Sequence, residues 1–337
     1  MSKTRIASEI DFEKEGKHSG YLRLPHSVHR SAYGWIGIPI TCIKNGSGPT
    51  VLLVAGNHGD EYEGQVTLMK LTRKLGADDV KGRIIILSSA NFPAAMAGMR
   101  TSPLDEGNLN RSFPGDPNGR PTQMIAHYIE SVLLPMADAA LDLHSGGSSL
   151  MYIPSALARR PKDAKKRAAT IELLKIFGAP ISMFFDMPQG EDRTLSGGTE
   201  RVGVKLHMST ELGGTGTVTP AILAIVEAGV ARLLDHFGVL RRPLTDAKPG
   251  KTRLVAVKGA PYYCYSPDAG LFEPFVDLGA EVKAGQPAGA VHYQDQPWRE
   301  PTIARFEHGG LVICKRIPGK VERGDCLFHL GTDSEDA

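Results

Sequence analysis

The chain has few cysteines and pairs none of them in sequence: Cys42, Cys264, Cys314 and Cys326 are scattered over 337 residues with no C-x-x-C. That spacing excludes a disulfide framework and a cysteine-based zinc site, and reduced, mostly buried thiols are the expectation. Neither sign of charge is in excess. Lys and Arg number 39 against 37 Asp and Glu, a net +2, which is too balanced for a surface built to bind nucleic acid or another polyanion. No window approaches the roughly 18 uninterrupted apolar residues of a membrane span, and the opening "MSKTRIASEIDFEKEGKHSG" lacks the apolar stretch of a secretory signal. A cytoplasmic protein with no membrane partner is the resulting expectation. What is present is ordinary globular composition, 41% hydrophobic and 23% charged, which sets aside disordered and fibrous classes.

From about residue 50 to 240, short apolar runs alternate with helical patterns. "TVLLVAG" (50–56), "RIIILSSAN" (83–91), "ALDLHSGG" (140–147) and "VKLHMSTELGG" (204–214) read as strands. Between them, 61–75, 122–134, 161–177 and 220–237 carry apolar residues three and four apart and read as helices. This alternation predicts an α/β fold with a largely parallel sheet, whose ligands gather at the carboxyl ends of the strands. Residues 20–45 supply one or two antiparallel strands ahead of it. "RRPLTDAKPGKT" (241–252) reads as a linker, and beyond it short apolar stretches broken by Gly or Pro predict a small all-β unit. The expected division is a catalytic unit over 1–245, with a β extension over 1–48, and a β-sandwich or barrel-like unit over 246–337.

The candidate chemistry lies at the strand ends. "AGNHGDEYEG" (55–64) closes the first strand with glycines that permit a sharp turn, presenting His58 at the rim of the sheet. Glu61 follows three residues later, and at a helix start that offset brings the two side chains toward one side. His144 ends "LDLH" beside two glycines. His58, Glu61 and His144 thus match a catalytic metal site of two imidazoles and one carboxylate with a position left for water. Asp142, two residues before His144 on the same strand face, is placed to orient a ligand from behind. Asp60 and Glu63 compete for the ligand role and read as solvated acids favouring the helix dipole. Glu211 in "MSTELGG" is the candidate general base. His207, four residues back on that strand face, is placed to neighbour the site, with a satisfied core or supporting histidine as the leading reading. In the long irregular stretch "MRTSPLDEGNLNRSFPG" (99–115), Arg111 with Asn110 is suited to clamp a carboxylate and Arg100 to stabilise an oxyanion.

"GNHGDEYEG", "NLNRSFPG", "DLHSGG" and "TELGG", in that order, resemble the succinylglutamate desuccinylase/aspartoacylase family, relatives of zinc carboxypeptidases. The resemblance implies one Zn2+ per chain on His58, Glu61 and His144, with Glu211 as catalytic base. It further implies Arg100 as the group polarising the scissile carbonyl and Asn110 with Arg111 as the grip on the substrate carboxylate. It implies a zinc carboxypeptidase-like mixed, largely parallel sheet flanked by helices, with a smaller all-β part that partly covers the cleft. "DAGLFEPFVDLGAEVKAGQPAGAVH" is also similar to a biotinyl or lipoyl hairpin sandwich, but no Met-Lys-Met attachment site is present. Tyr265 either reaches the site from this part or, as the leading reading among several neighbouring tyrosines, packs in the core.

Within the family, the N-terminal extension and "FFDMPQGEDRTLSGG" look most like deacetylases of N-α-acetyl-L-2,4-diaminobutyrate in ectoine breakdown. The implied partner is a small N-acyl amino acid, with Asp186, Glu191 and Asp192 as candidates to meet a cationic tail. Aspartoacylase or succinylglutamate desuccinylase activity, peptide carboxypeptidase activity and a metal-binding module without turnover are the alternatives. A homodimer is expected on the frequency of such assemblies.

Overall fold

The computed structural model describes residues 4–185 and 193–336. The first half runs β1 (Ala7–Ser8), β2 (Gly16–Pro25), β3 (Trp35–Asn45), β4 (Thr50–Ala55), α1 (Tyr62–Lys74), β5 (Gly82–Leu87), α2 (Phe92–Ala97), α3 (Pro121–Tyr128) and β6 (Ala139–His144). It continues through β7 (Leu150–Tyr152), β8 (Ser155–Arg159), α4 (Ala164–Phe177), β9 (Ile181–Phe185), α5 (Leu195–Val202), β10 (Leu206–Glu211) and α6 (Pro220–His236). The remaining strands are β11 (Arg253–Val257), β12 (Tyr263–Tyr265), β13 (Gly270–Pro274), β14 (Glu281–Val282), β15 (Pro287–His292), β16 (Thr302–Arg305), β17 (Gly310–Arg316), β18 (Lys320–Val321) and β19 (Cys326–Asp333).

The run 50–55 is apolar throughout because β4 is covered on both faces. Val51, Leu53 and Ala55 pack with Leu68, Phe177 and Leu233 on one side, and Leu52 and Val54 with Ile85, Phe113 and Ile129 on the other. A strand buried on two faces shows no polar alternation. Parallel pairing joins β5, β4, β6 and β10 in that order, while β2 and β3 extend the sheet antiparallel. The helix ends follow local chemistry: Asp163 and Thr219 cap α4 and α6 by accepting backbone N–H bonds, and Pro220 opens α6 where its missing donor costs nothing.

Two features depart from the strand-and-helix alternation expected from sequence. The expected helix 122–134 is α-helical only to Tyr128, then continues as a π turn and a 3-10 turn to Met136. And β8 and β9, which the sequence pattern did not flag, enter the sheet beside β10, with β8 antiparallel to β10 and parallel to β9. From β9 the sheet continues through β11 to β19 and β17, so C-terminal strands extend the sheet that carries the site. A second, four-stranded antiparallel sheet is formed by β16, β15, β13 and β18. Residues 241–252 contain neither helix nor strand. Cys42, Cys264 and Cys314 are buried and Cys326 partly so, all unpaired. Among the described residues no helix is long and apolar enough to cross a membrane.

Candidate active site

After β4 the chain turns at Gly56, whose φ of +71° suits glycine, and passes so close to α2 that a Cβ on Gly59 would stand 2.0 Å from the Ala94 carbonyl carbon. This turn delivers His58 and then Glu61, the residue that caps α1. The Glu61 side chain makes no capping bond, because both of its oxygens are engaged elsewhere. Oε1 lies 2.6 Å from His58 Nδ1 and Oε2 lies 2.8 Å from His144 Nδ1, with the Ser145 backbone N–H donating to Oε2 at 3.1 Å. His144 ends β6 and is in register with Glu211 at the end of β10, so parallel pairing alone sets these two side by side.

Donor atoms of His58, Glu61 and His144 lie within 4.8 Å of one another, all three residues buried, and the trio can hold a metal ion. The far side of each imidazole is also engaged. Asn108 Oδ1 stands 3.1 Å from His58 Nε2, and Asp142 Oδ2 stands 2.8 Å from His144 Nε2. Asp142 is fixed in turn by the Asn57 amide, which donates to Oδ1 at 2.7 Å. Paired nitrogens directed at one carboxylate, each braced from behind by an oxygen, are the donor chemistry of a histidine metal site.

Burial works to raise the Glu61 carboxyl, but the charge and hydrogen bonds of the two imidazoles prevail and hold it below the usual range. Burial likewise works to lower His144, and the carboxylates of Asp142 and Glu61 outweigh it. Glu211 moves the other way. Burial first, then the charge of Glu61, push its carboxyl well above its ordinary value against the pull of His144 and Arg100, and its Oε2 is buried with no partner among the described residues.

One cavity of about 630 Å³ is lined by every residue singled out from sequence as ligand, base or substrate grip: His58, Glu61, His144, Glu211, Arg100, Asn110 and Arg111. The Arg100 guanidinium lies 3.4 Å from Glu61 Oε1. Asn110 is locked by the N-terminus of α5, where the Leu195 N–H donates to its Oδ1 at 2.9 Å, and its Nδ2 faces His144 at 3.3 Å. Arg111 donates to the Asn110 carbonyl.

Other expectations are corrected. Asp60 and Glu63 are buried rather than solvated, at 3% and 1% exposure. Asp60 accepts from the Ser148 N–H and hydroxyl, and Glu63 from the Gly214 N–H, so both acids tie glycine loops beside the strand ends to the start of α1. Tyr265 is not core: it is half exposed, stacks on Tyr263 and lines the cavity. His207 lines the cavity too, with a buried Nε2 that has no partner among the described residues, so it neighbours the site and is not a satisfied core histidine. Asp186, Glu191 and Asp192 lie outside the described residues. Asn108 was missed although it stands in the same "NLNR" stretch as Asn110, two residues earlier. The walls from β8, β9 and the C-terminal strands, with Leu157, Arg159, Phe185, Val257 and Tyr263, carried no local signal of their own.

The sheet, the histidine-carboxylate cluster and the cavity define a class, and the sequence agrees: residues 47–237 match the succinylglutamate desuccinylase/aspartoacylase catalytic domain, and the chain belongs to that family. Within it, the chain is 43% identical over 323 residues to the N-α-acetyl-L-2,4-diaminobutyric acid deacetylase of Halomonas elongata, covering 96% of this chain and 93% of that one. A product-bound structure of the ectoine utilization protein EutE (DoeB) from Ruegeria pomeroyi superposes with a TM-score of 0.93 at 40% identity, covering 98% of this chain and all of that one. A succinylglutamate desuccinylase/aspartoacylase structure from Rhodobacter sphaeroides gives 0.90 at 39% identity, with 98% and 100% covered.

Proposed function

We propose that the protein is a zinc-dependent amidohydrolase that removes the acetyl group from N-α-acetyl-L-2,4-diaminobutyrate, releasing 2,4-diaminobutyrate and acetate. The observation that carries this reading is the meeting of His58, Glu61, His144 and Glu211 in one cavity, in a chain 43% identical to a deacetylase of that name. His58, Glu61 and His144 hold the zinc. When bound, the metal supplies a Lewis acid for the acyl carbonyl and lowers the pKa of water. Glu211, its proton affinity raised by burial, takes a proton from the attacking water and returns it to the departing amine. Arg100 donates to the carbonyl oxygen as negative charge develops there. Asn110, held by α5, and Arg111 grip the substrate carboxylate.

Val257, Tyr263 and Tyr265 add a wall from the C-terminal strands to one side of the cavity, and this narrowing supports a small substrate over a peptide. The same base argues against a purely structural metal site, which fills its fourth position with a ligand. The test is acetate release by the purified protein from N-acetylated diaminobutyrate, ornithine and aspartate, beside release of a C-terminal residue from a peptide. Diaminobutyrate is expected to be preferred. Preference for the aspartate compound would replace the substrate, and cleavage of the peptide alone would replace the reaction.

A further inference from the structure

The cavity extends below the metal ligands along the face of the sheet. In β10, alternation puts His207, Ser209 and Glu211 on one face, in register with Ala140, Asp142 and His144 of β6, and all of these but Ala140 line the cavity. His207 is therefore at the inner end, two side-chain layers below the base. Apolar Leu157, Phe185 and Val257 line the same space. A buried polar atom without a partner is costly, and an unpaired one beside a cavity points to a group that arrives with the ligand. Burial, opposed by Asp142 and assisted by Arg159 and His144, pushes the His207 ring down to about 4, so it is neutral near pH 7 and carries a free lone pair. A ring flip exchanges its two nitrogens, so either can present that lone pair to the cavity.

We propose that His207 determines side-chain specificity by accepting a hydrogen bond from the amine at the end of the substrate's side chain. The apolar walls take the methylenes, and the neutral imidazole receives the ammonium without adding a like charge. Arg159 also lines this space; it is paired with Glu200 at 3.1 Å, and at His207 its charge is opposed by that of Asp142. This inference rests on the deacetylase reading and names the part of the same site that reads the substrate's tail.

The test is calorimetric binding of 2,4-diaminobutyrate and of 2-aminobutyrate, which lacks only the terminal amine, to zinc-loaded wild type, His207→Phe and His207→Gln. Acetate release from the two acetylated compounds is followed in parallel. Wild type is expected to favour the diamine by about 10- to 100-fold, the range of a hydrogen bond to a charged group. His207→Phe is expected to bring the ratio of the two affinities near one, and His207→Gln, which keeps an acceptor, to recover part of it. Discrimination retained in both variants, or equal weakening toward both ligands, overturns the assignment. If wild type releases acetate from both compounds without discriminating between the amines, this inference fails and the deacetylase reading stands. If it releases acetate from neither, both fail.

Discussion

Replacing Asp142 with asparagine alters the site at one atom's depth behind a ligand. Asp142 is 1% exposed, accepts from Asn57 at 2.7 Å and stands 2.8 Å from His144 Nε2. With a metal bound, a carboxylate accepting from Nε2–H would leave His144 Nδ1 unprotonated as the ligand atom. Asparagine has nearly the same shape but can turn its amide donor to Nε2, which favours the tautomer with the proton on Nδ1, where it blocks ligation. Removal of such a brace typically weakens metal affinity by about 10- to 100-fold, or about 1.4 to 2.7 kcal/mol. The loss is expected near the upper end because Asp142 and His144 are both buried, at 1% and 6% exposure. Zinc affinity measured by competition with a chromogenic chelator gives the number directly. A change below about threefold, in a variant that melts as wild type does without metal, would refute the bracing role.

Glu211→Gln is expected to keep wild-type zinc affinity while acetate release at saturating substrate falls by at least about 100-fold, since general acid and base transfer contributes roughly that much or more; turnover near wild type would move the base elsewhere. Stability is expected to depend on pH through His329, which is fully buried, stacked on Tyr263 at 4.3 Å and pushed down to about 3 by burial. Its folded value lies below its unfolded one, so between about pH 3 and 6.5 only the unfolded chain takes the proton, and stability rises with pH across that window. Lowering the pH from 7 to 5 should cost about 2 kcal/mol from this residue alone. Urea unfolding of wild type and His329→Phe at both pH values checks it: the variant should lose about 2 kcal/mol less, and equal losses would show that His329 is not held neutral.

The cluster of His58, Glu61, His144 and Glu211 was legible because these residues stand at or just past a strand end or at a helix start. The runs 50–56 and 140–147 were visible as apolar stretches ending in His and Gly, and parallel pairing of the strands converts those ends into neighbours. Distance along the chain then matters little: Glu61 and His144 meet across 83 residues. What was not legible depended on partners from elsewhere. Asp60 and Glu63 carry the marks of surface helix-start acids, and only the glycine loops folded over them by β6 and β10 make them buried. "SALAR" is too small and too short to announce a strand, yet it edges the cavity because β10 offers it a backbone to pair with. The exposure of Tyr265, and the lack of a partner for His207 Nε2 among the described residues, are properties of a cavity, which has no sequence of its own.

The most direct measurement is a zinc titration of metal-free wild type beside His58→Ala, Glu61→Ala and His144→Ala. One equivalent bound tightly by wild type, with affinity weakened by two orders of magnitude or more in each variant, is the predicted result. Undiminished binding of one equivalent in any of the three would place the metal elsewhere and contradict the site.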